Sequence, residues 1–160
     1  PAIQTRIVVE SLLASGVDVR VFGAGWEQSH VPTDRISAAP AAAEQRNKLY
    51  NRAAVVVCPV FHQEVPQVCL EAVTAGACVV LREPGAPMES VRPGLADVLT
   101  QLPHARELRP LIQLTGRLAR DAGRRKSACR EARRAVLDRH LWSHRLSTLL
   151  RALAEHSTAP

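Results

Sequence analysis

The 160-residue sequence has no apolar run long enough to cross a bilayer, no signal peptide and no starting methionine. A segment of a longer cytoplasmic protein is therefore expected, with no membrane span. No D-x-D triplet occurs and the histidines lack ligand spacing, so the sequence gives no ground for a divalent metal, and no cofactor is expected. The four cysteines, Cys58, Cys69, Cys78 and Cys129, form no C-x-x-C motif, and three of them fall in predicted strands or an apolar helix. Buried free thiols in a reducing compartment follow, rather than a metal centre or a disulfide framework. Internal repeats are absent, and the only tail-like composition lies after Glu155. The length fits one domain able to bury a full core.

Charge, by contrast, is plentiful and uneven. The formal net charge is +6, and between Arg106 and Arg145 the many arginines face only Glu107, Asp121, Glu131 and Asp138. A basic surface of that kind can meet nucleic acid or anionic lipid. No RNA or DNA motif accompanies it, so a solvated helix face is the favoured reading and no nucleic-acid partner is expected.

The organising stretch is AVVVCPVFHQEVPQVCLEAVTAGACVVL, from Ala54 to Leu81. Val55, Val56 and Val57 form one β-branched run, and Val79, Val80 and Leu81 another. Strands apolar on both faces belong to parallel sheets covered by helices on each side. Between them Pro66 suits a first helical turn, Val68, Ala72 and Ala75 share a face, and Gly76 stands where a helix would stop. This is a βαβ unit. Its loop, Pro59 to Val65, lies at the carboxyl end of a strand and opens onto a helix N-terminus, the usual ligand position in open α/β sheets.

Upstream, Ile3, Ile7, Val8 and Leu12 recur at helical spacing, which predicts a helix from Ala2 to Ser15 that stops at Gly16. Val17, Val19 and Val21 then alternate as a strand. Gly23 and Gly25 read as a turn. A short strand is expected near Arg35 to Ser37, and a helix from Ala43 to Arg52 with Leu49 and Ala53 inward and Tyr50 packed. Downstream, a short helix is expected around Met88 to Val91 and a last strand at Asp97 to Leu99. One long helix follows from Leu108 to Ala122, a second through Ala128 to Val136, and a final one through Trp142, Leu146, Leu149, Leu150 and Leu153. A doubly wound sheet normally begins with a strand and a glycine turn, whereas here a helix comes first. The expectation is one domain, residues 1–155, lacking its first strand, and a polar tail, residues 156–160.

The run from Cys58 to Val80 resembles the signature of the C-terminal, nucleotide-sugar-binding domain of GT-B glycosyltransferases, in which a strand ending in Pro precedes an acidic loop and E-A-x-x-x-G-x-x-V-V. That tail is Glu71, Ala72, Gly76, Val79 and Val80. Arg6 ahead of an apolar helix, GVDVRVFGAGW from Gly16 to Trp26, Tyr50 before the buried strand, and HLWSHRLSTLL from His140 to Leu150 are similar to the CgeB-like, spore-maturation branch of that group. The resemblance implies an α/β, Rossmann-like, doubly wound parallel sheet with C-terminal helices, forming one half of a GT-B fold. It implies a nucleotide-sugar donor as ligand, and an N-terminal acceptor-binding domain as partner.

It also implies site residues. Glu71 stands where the family's carboxylate accepts hydrogen bonds from the ribose hydroxyls. Arg6 stands roughly where related enzymes carry a basic residue at the start of the first helix, which would aid the diphosphate. The family's two glutamates are separated by seven intervening residues, and counting back from Glu71 on that spacing reaches Gln63, with Glu64 one place on. His62, Gln63 and Glu64 would face the transferred sugar, with His62 and Glu64 as the catalytic candidates. Gly85 and Glu89 match the family's glycine loop and acidic residue near the donor. Two functions follow: the donor half of a glycosyltransferase, or a non-catalytic nucleotide-binding module whose first acidic position has moved.

Overall fold

The computed structural model describes residues 3–59, 67–83 and 95–157. Its frame is a pair of parallel sheets. In the first, β1 (Val21–Phe22) pairs with β2 (Ile36–Ser37), Val21 lying opposite Ile36. In the second, β4 (Val79–Arg82) lies between β3 (Val56–Pro59) and β5 (His104–Ala105), with Val57 opposite Val80 and Leu81 opposite His104.

Helices separate the strands: α1 (Ile3–Ala14) precedes β1, α2 (Ala43–Arg52) leads into β3, and α3 (Gln67–Ala75) joins β3 to β4. The short α4 (Ala96–Leu99) precedes β5. After it come α5 (Leu108–Arg120), α6 (Ala122–Ala128), α7 (Arg130–Arg139) and the long α8 (Trp142–Ser157). The fold is thus α/β, with parallel strands alternating with helices and a long C-terminal helix, as expected of a Rossmann-like half of a GT-B fold.

Val79, Val80 and Leu81 are completely buried, although successive residues of a strand point to opposite faces. Cover on both sides is required, and two sets of touching helices supply it: α1 with α5, and α2 and α7 on either flank of α3. Fully burying each such side chain is worth about 1.5–3 kcal/mol, so this strand is the centre of the core. Both glycine stops form as expected. Gly76 has φ +90° and closes α3 with its N–H on Val73 O while Ala77 N–H reaches Ala72 O. Gly16, at φ +76°, repeats the pattern on Leu13 and Leu12. A left-handed residue in this double-bonded C-cap favours glycine, which has no Cβ to clash.

Several local expectations need correction. Asp97 to Leu99 is helical, not a strand, because Leu95, Val98, Leu99 and Leu102 bury at helical spacing; the last strand is β5 instead. On α3 the buried set is Cys69, Leu70, Ala72 and Val73, and Val68 is exposed, since contacts with α2 and α7 wrap the helix on two flanks. On α1 only Val8 and Leu12 are buried, while Ile3 and Ile7 face outward. The strand at Val17 to Val21 keeps its in–out alternation, but ladder pairing is confined to Val21 and Phe22 because β2 offers only two residues. Val55, Val56 and Val57 are half-buried, not fully buried, since β3 is at the edge of its sheet.

The basic C-terminal region forms three helices before α8 in place of two. Asp121 breaks the run by accepting the Arg124 N–H at 2.9 Å as the N-cap of α6, and Arg125 Nη1 donates to the Leu118 and Ala119 carbonyls in the last turn of α5. The final helix continues to Ser157, past the expected start of the tail. Its apolar residues Trp142, Leu146, Leu149, Leu150 and Leu153 are exposed. All four cysteines are buried and free. The helix expected around Met88 to Val91 lies outside the described residues.

Candidate functional site

Among the described residues a groove of about 550 Å³ runs along one face of α3. Gln67, Leu70, Glu71, Thr74 and Ala75 form its floor, at the i, i+3, i+4, i+7 and i+8 positions that share one helical face. One wall is α2, through Ala43, Arg46, Asn47, Tyr50 and Asn51. The other is α7 and the start of α8, through Arg133, Val136, His140, Trp142 and Arg145. Because α2 precedes β3 and α3 follows it, both helices run back along the sheet and start at the carboxyl ends of the strands. The floor spans α3 from Gln67 to Ala75, so the Gln67 end of the groove is the one that lies toward the carboxyl ends, where ligands collect in open α/β sheets.

Glu71 projects into this groove with about a third of its side chain exposed, and its Oε2 accepts from Arg46 Nε at 3.0 Å. Arg46 is held a second time by the Ala41 carbonyl, at 2.8 Å from Nη1. A carboxylate has about four lone-pair sites, so Glu71 retains Oε1 for hydroxyl donors while keeping its arginine. Beneath the pair, Tyr50 is buried; desolvation and the nearby Glu71 charge push its phenol above the ordinary value of 10.0.

The opposite wall is fixed by a separate network. Asp97 of α4 holds Arg139 Nη2 at 2.7 Å and His140 Nε2 at 3.0 Å, which pins the corner where α7 turns into α8. His144 Nδ1 accepts the Leu141 N–H at 3.2 Å at the same corner. Arg133 Nε donates to Thr74 O at 3.2 Å, tying α7 to the last turn of α3. At the groove rim the Arg145 guanidinium lies over the Trp142 ring, 5.4 Å from its centroid. Three guanidiniums, one carboxylate and one indole therefore converge on one groove.

Of the residues singled out from sequence, Glu71 is in the groove. Arg6 sits on α1, donates to the Gln28 carbonyl of the segment after β1, and is not among the groove's lining residues. His62, Gln63, Glu64, Gly85 and Glu89 lie outside the described residues. The sequence reading missed Arg46 and Arg133 as site residues, and it placed Trp142 and Arg145 in an apolar stripe, a basic run and the resembling segment without giving them a role. The resemblance at His140 to Leu150 was the available signal for the latter two. Among the described residues no group of three or more His, Cys, Asp or Glu is placed to hold a metal, and no helix is long and apolar enough to cross a membrane.

A family model described as glycosyl transferase-like matches residues 4–151. No curated protein and no solved structure matches the chain.

Proposed function

The chain belongs to the glycosyl transferase-like family, and from that premise we propose that it is the nucleotide-sugar-binding domain of an enzyme that transfers the sugar to an acceptor held by an N-terminal domain. The observation that carries the reading is Glu71: a carboxylate about a third exposed, oriented by Arg46, in a groove along the face of α3 between α2 and α7. A carboxylate accepts both hydroxyls of a ribose, and hydrogen bonds to a charged acceptor contribute about 1.5–3 kcal/mol. Arginines around it suit the diphosphate, and stabilise the nucleoside diphosphate as it departs in sugar transfer.

In this reading His62, Gln63 and Glu64 meet the transferred sugar, His62 and Glu64 being the catalytic candidates, and Gly85 and Glu89 lie close to the donor. For Arg6 to meet the diphosphate, it must release the Gln28 carbonyl and the donor must extend beyond the groove's lining. The offset of Glu64 from the family spacing keeps the non-catalytic nucleotide-binding module as the second reading. Calorimetry with UDP, GDP and their sugars tests donor binding, and absence of binding by any of them removes both readings. Turnover of a bound sugar nucleotide by the chain joined to its acceptor-binding domain separates enzyme from binding module.

A further inference from the structure

We propose that Trp142 is the stacking surface for the nucleobase, so that the C-terminal helix supplies one wall of the nucleotide site. The inference rests on the function proposed above and deepens it. Trp142 is 73% exposed, yet it lines the same groove as Glu71 and Arg46. Its position is fixed, because the corner that carries it is pinned by Asp97 through Arg139 and His140. Arg145 covers part of the ring and leaves much of the indole open to solvent. The cation over the ring anchors it, and an open indole surface takes any planar base.

The groove thus offers three chemistries at once: an indole, a carboxylate with a free oxygen, and guanidiniums. A nucleoside diphosphate has three parts that need them, a π-face, a vicinal diol and two phosphates. A free sugar lacks the first, a peptide lacks the second, and an inorganic diphosphate lacks both. The groove volume of about 550 Å³ also falls in the ordinary range for small-ligand sites.

The rival role for Trp142 is packing. It starts the exposed apolar stripe Leu146, Leu149, Leu150 and Leu153 of α8, and a protein partner lying on that stripe would cover it without any nucleotide. The two roles give different signals. Trp26, the other tryptophan, is buried in a separate cluster with Val21 and Val31, so in a Trp26→Phe background the emission reports Trp142 alone.

In that background UDP or GDP is expected to quench the emission saturably, with the dissociation constant that calorimetry gives, while ribose 5-phosphate, which has no base, does not quench. Trp142→Ala is expected to weaken the nucleoside diphosphates roughly 5- to 140-fold, the loss of one base–aromatic stack, and Trp142→Phe to restore most of that. Affinity for ribose 5-phosphate stays unchanged in both. Trp142 is exposed, so both variants should melt as the wild type does. Unquenched emission together with full affinity of Trp142→Ala for a nucleotide that the wild type binds overturns this proposal and leaves the donor-binding function standing. Absence of nucleotide binding by the wild type removes both.

Discussion

Replacing Glu71 by alanine separates the two things this carboxylate does, and the structure sets the size of each. Its ion pair with Arg46 lies about a third exposed on both sides, 30% and 32%, where solvent screening reduces a pair to about 0.2–1 kcal/mol. Arg46 keeps its bond to the Ala41 carbonyl, so the mutation strands no buried charge. For a domain of this size the melting temperature should fall by only about 1–3 °C. Binding should suffer more. Losing the charge-assisted bonds to the ribose hydroxyls removes about 1.5–3 kcal/mol, or roughly a 10- to 150-fold rise in Kd for UDP or GDP. A cycle with the ligand makes the assignment specific: the 2′,3′-dideoxynucleotide should bind the wild type weakly by a similar factor, and should bind Glu71→Ala about as well as the normal nucleotide does. A mutant with wild-type affinity, or one that still penalises the dideoxynucleotide in full, refutes the ribose contact.

Two further outcomes follow from groups near the groove. Tyr50 is the only tyrosine, so its phenolate absorbance titrates one group. The midpoint should lie above 10.0, and Glu71→Gln should lower it by removing the neighbouring charge; folding stability tied to this group is then complete below about pH 10 and is lost as pH rises through the raised value. Gly76→Ala meets ordinary space, with Arg133 Nε 3.5 Å from the new Cβ, so its cost is the left-handed backbone itself, about 1–2 kcal/mol or 2–8 °C in Tm by thermal denaturation.

The central strand–helix–strand unit was legible because its signals are local and agree: β-branched runs, a proline before a helix and a glycine after it. Glu71 was legible only through the spacing of the residues around it. Asp97 to Leu99 was misread because three residues are too few to separate a strand from a helical turn, and the deciding partners, Leu95 and Leu102, lie outside them. Arg46 and Arg133 could not be found by pattern. Each is one arginine among many, and what distinguishes them is the opposing helix, twenty-five residues away for Arg46 and fifty-nine for Arg133. Long-range packing also decided which face of α3 became the groove floor.

The division into two sheets leads to a last prediction. α1 bridges them: Val8 and Leu12 pack in the main core, while Val9 and Leu13 pack on the cluster of Val21, Trp26 and Val31. Under that bridge β3 has β4 on one side, and among the described residues no strand is paired on the other. The asymmetry is visible within one ladder, where Val56 and Val57 are half-buried and their partners Val79 and Val80 are completely buried. A parallel strand followed by α1 and then β1 would form a right-handed crossover and lie between β1 and β3. Joining a five-residue valine-rich strand and a glycine turn ahead of Ile3 should therefore complete the burial of Val55, Val56 and Val57 and cover Ile7. Half-burying three valines again contributes about 3 kcal/mol, or roughly 6–12 °C in Tm. Hydrogen exchange localises the effect. The Val56 N–H already bonds Cys78 O at 2.8 Å, so alternation along the strand turns the Val57 N–H toward the free edge. Exchange at Val57 should slow much more than at Val56. Unchanged melting, with Val57 exchanging as before, would mean that the edge of β3 is closed by something other than a strand ahead of α1.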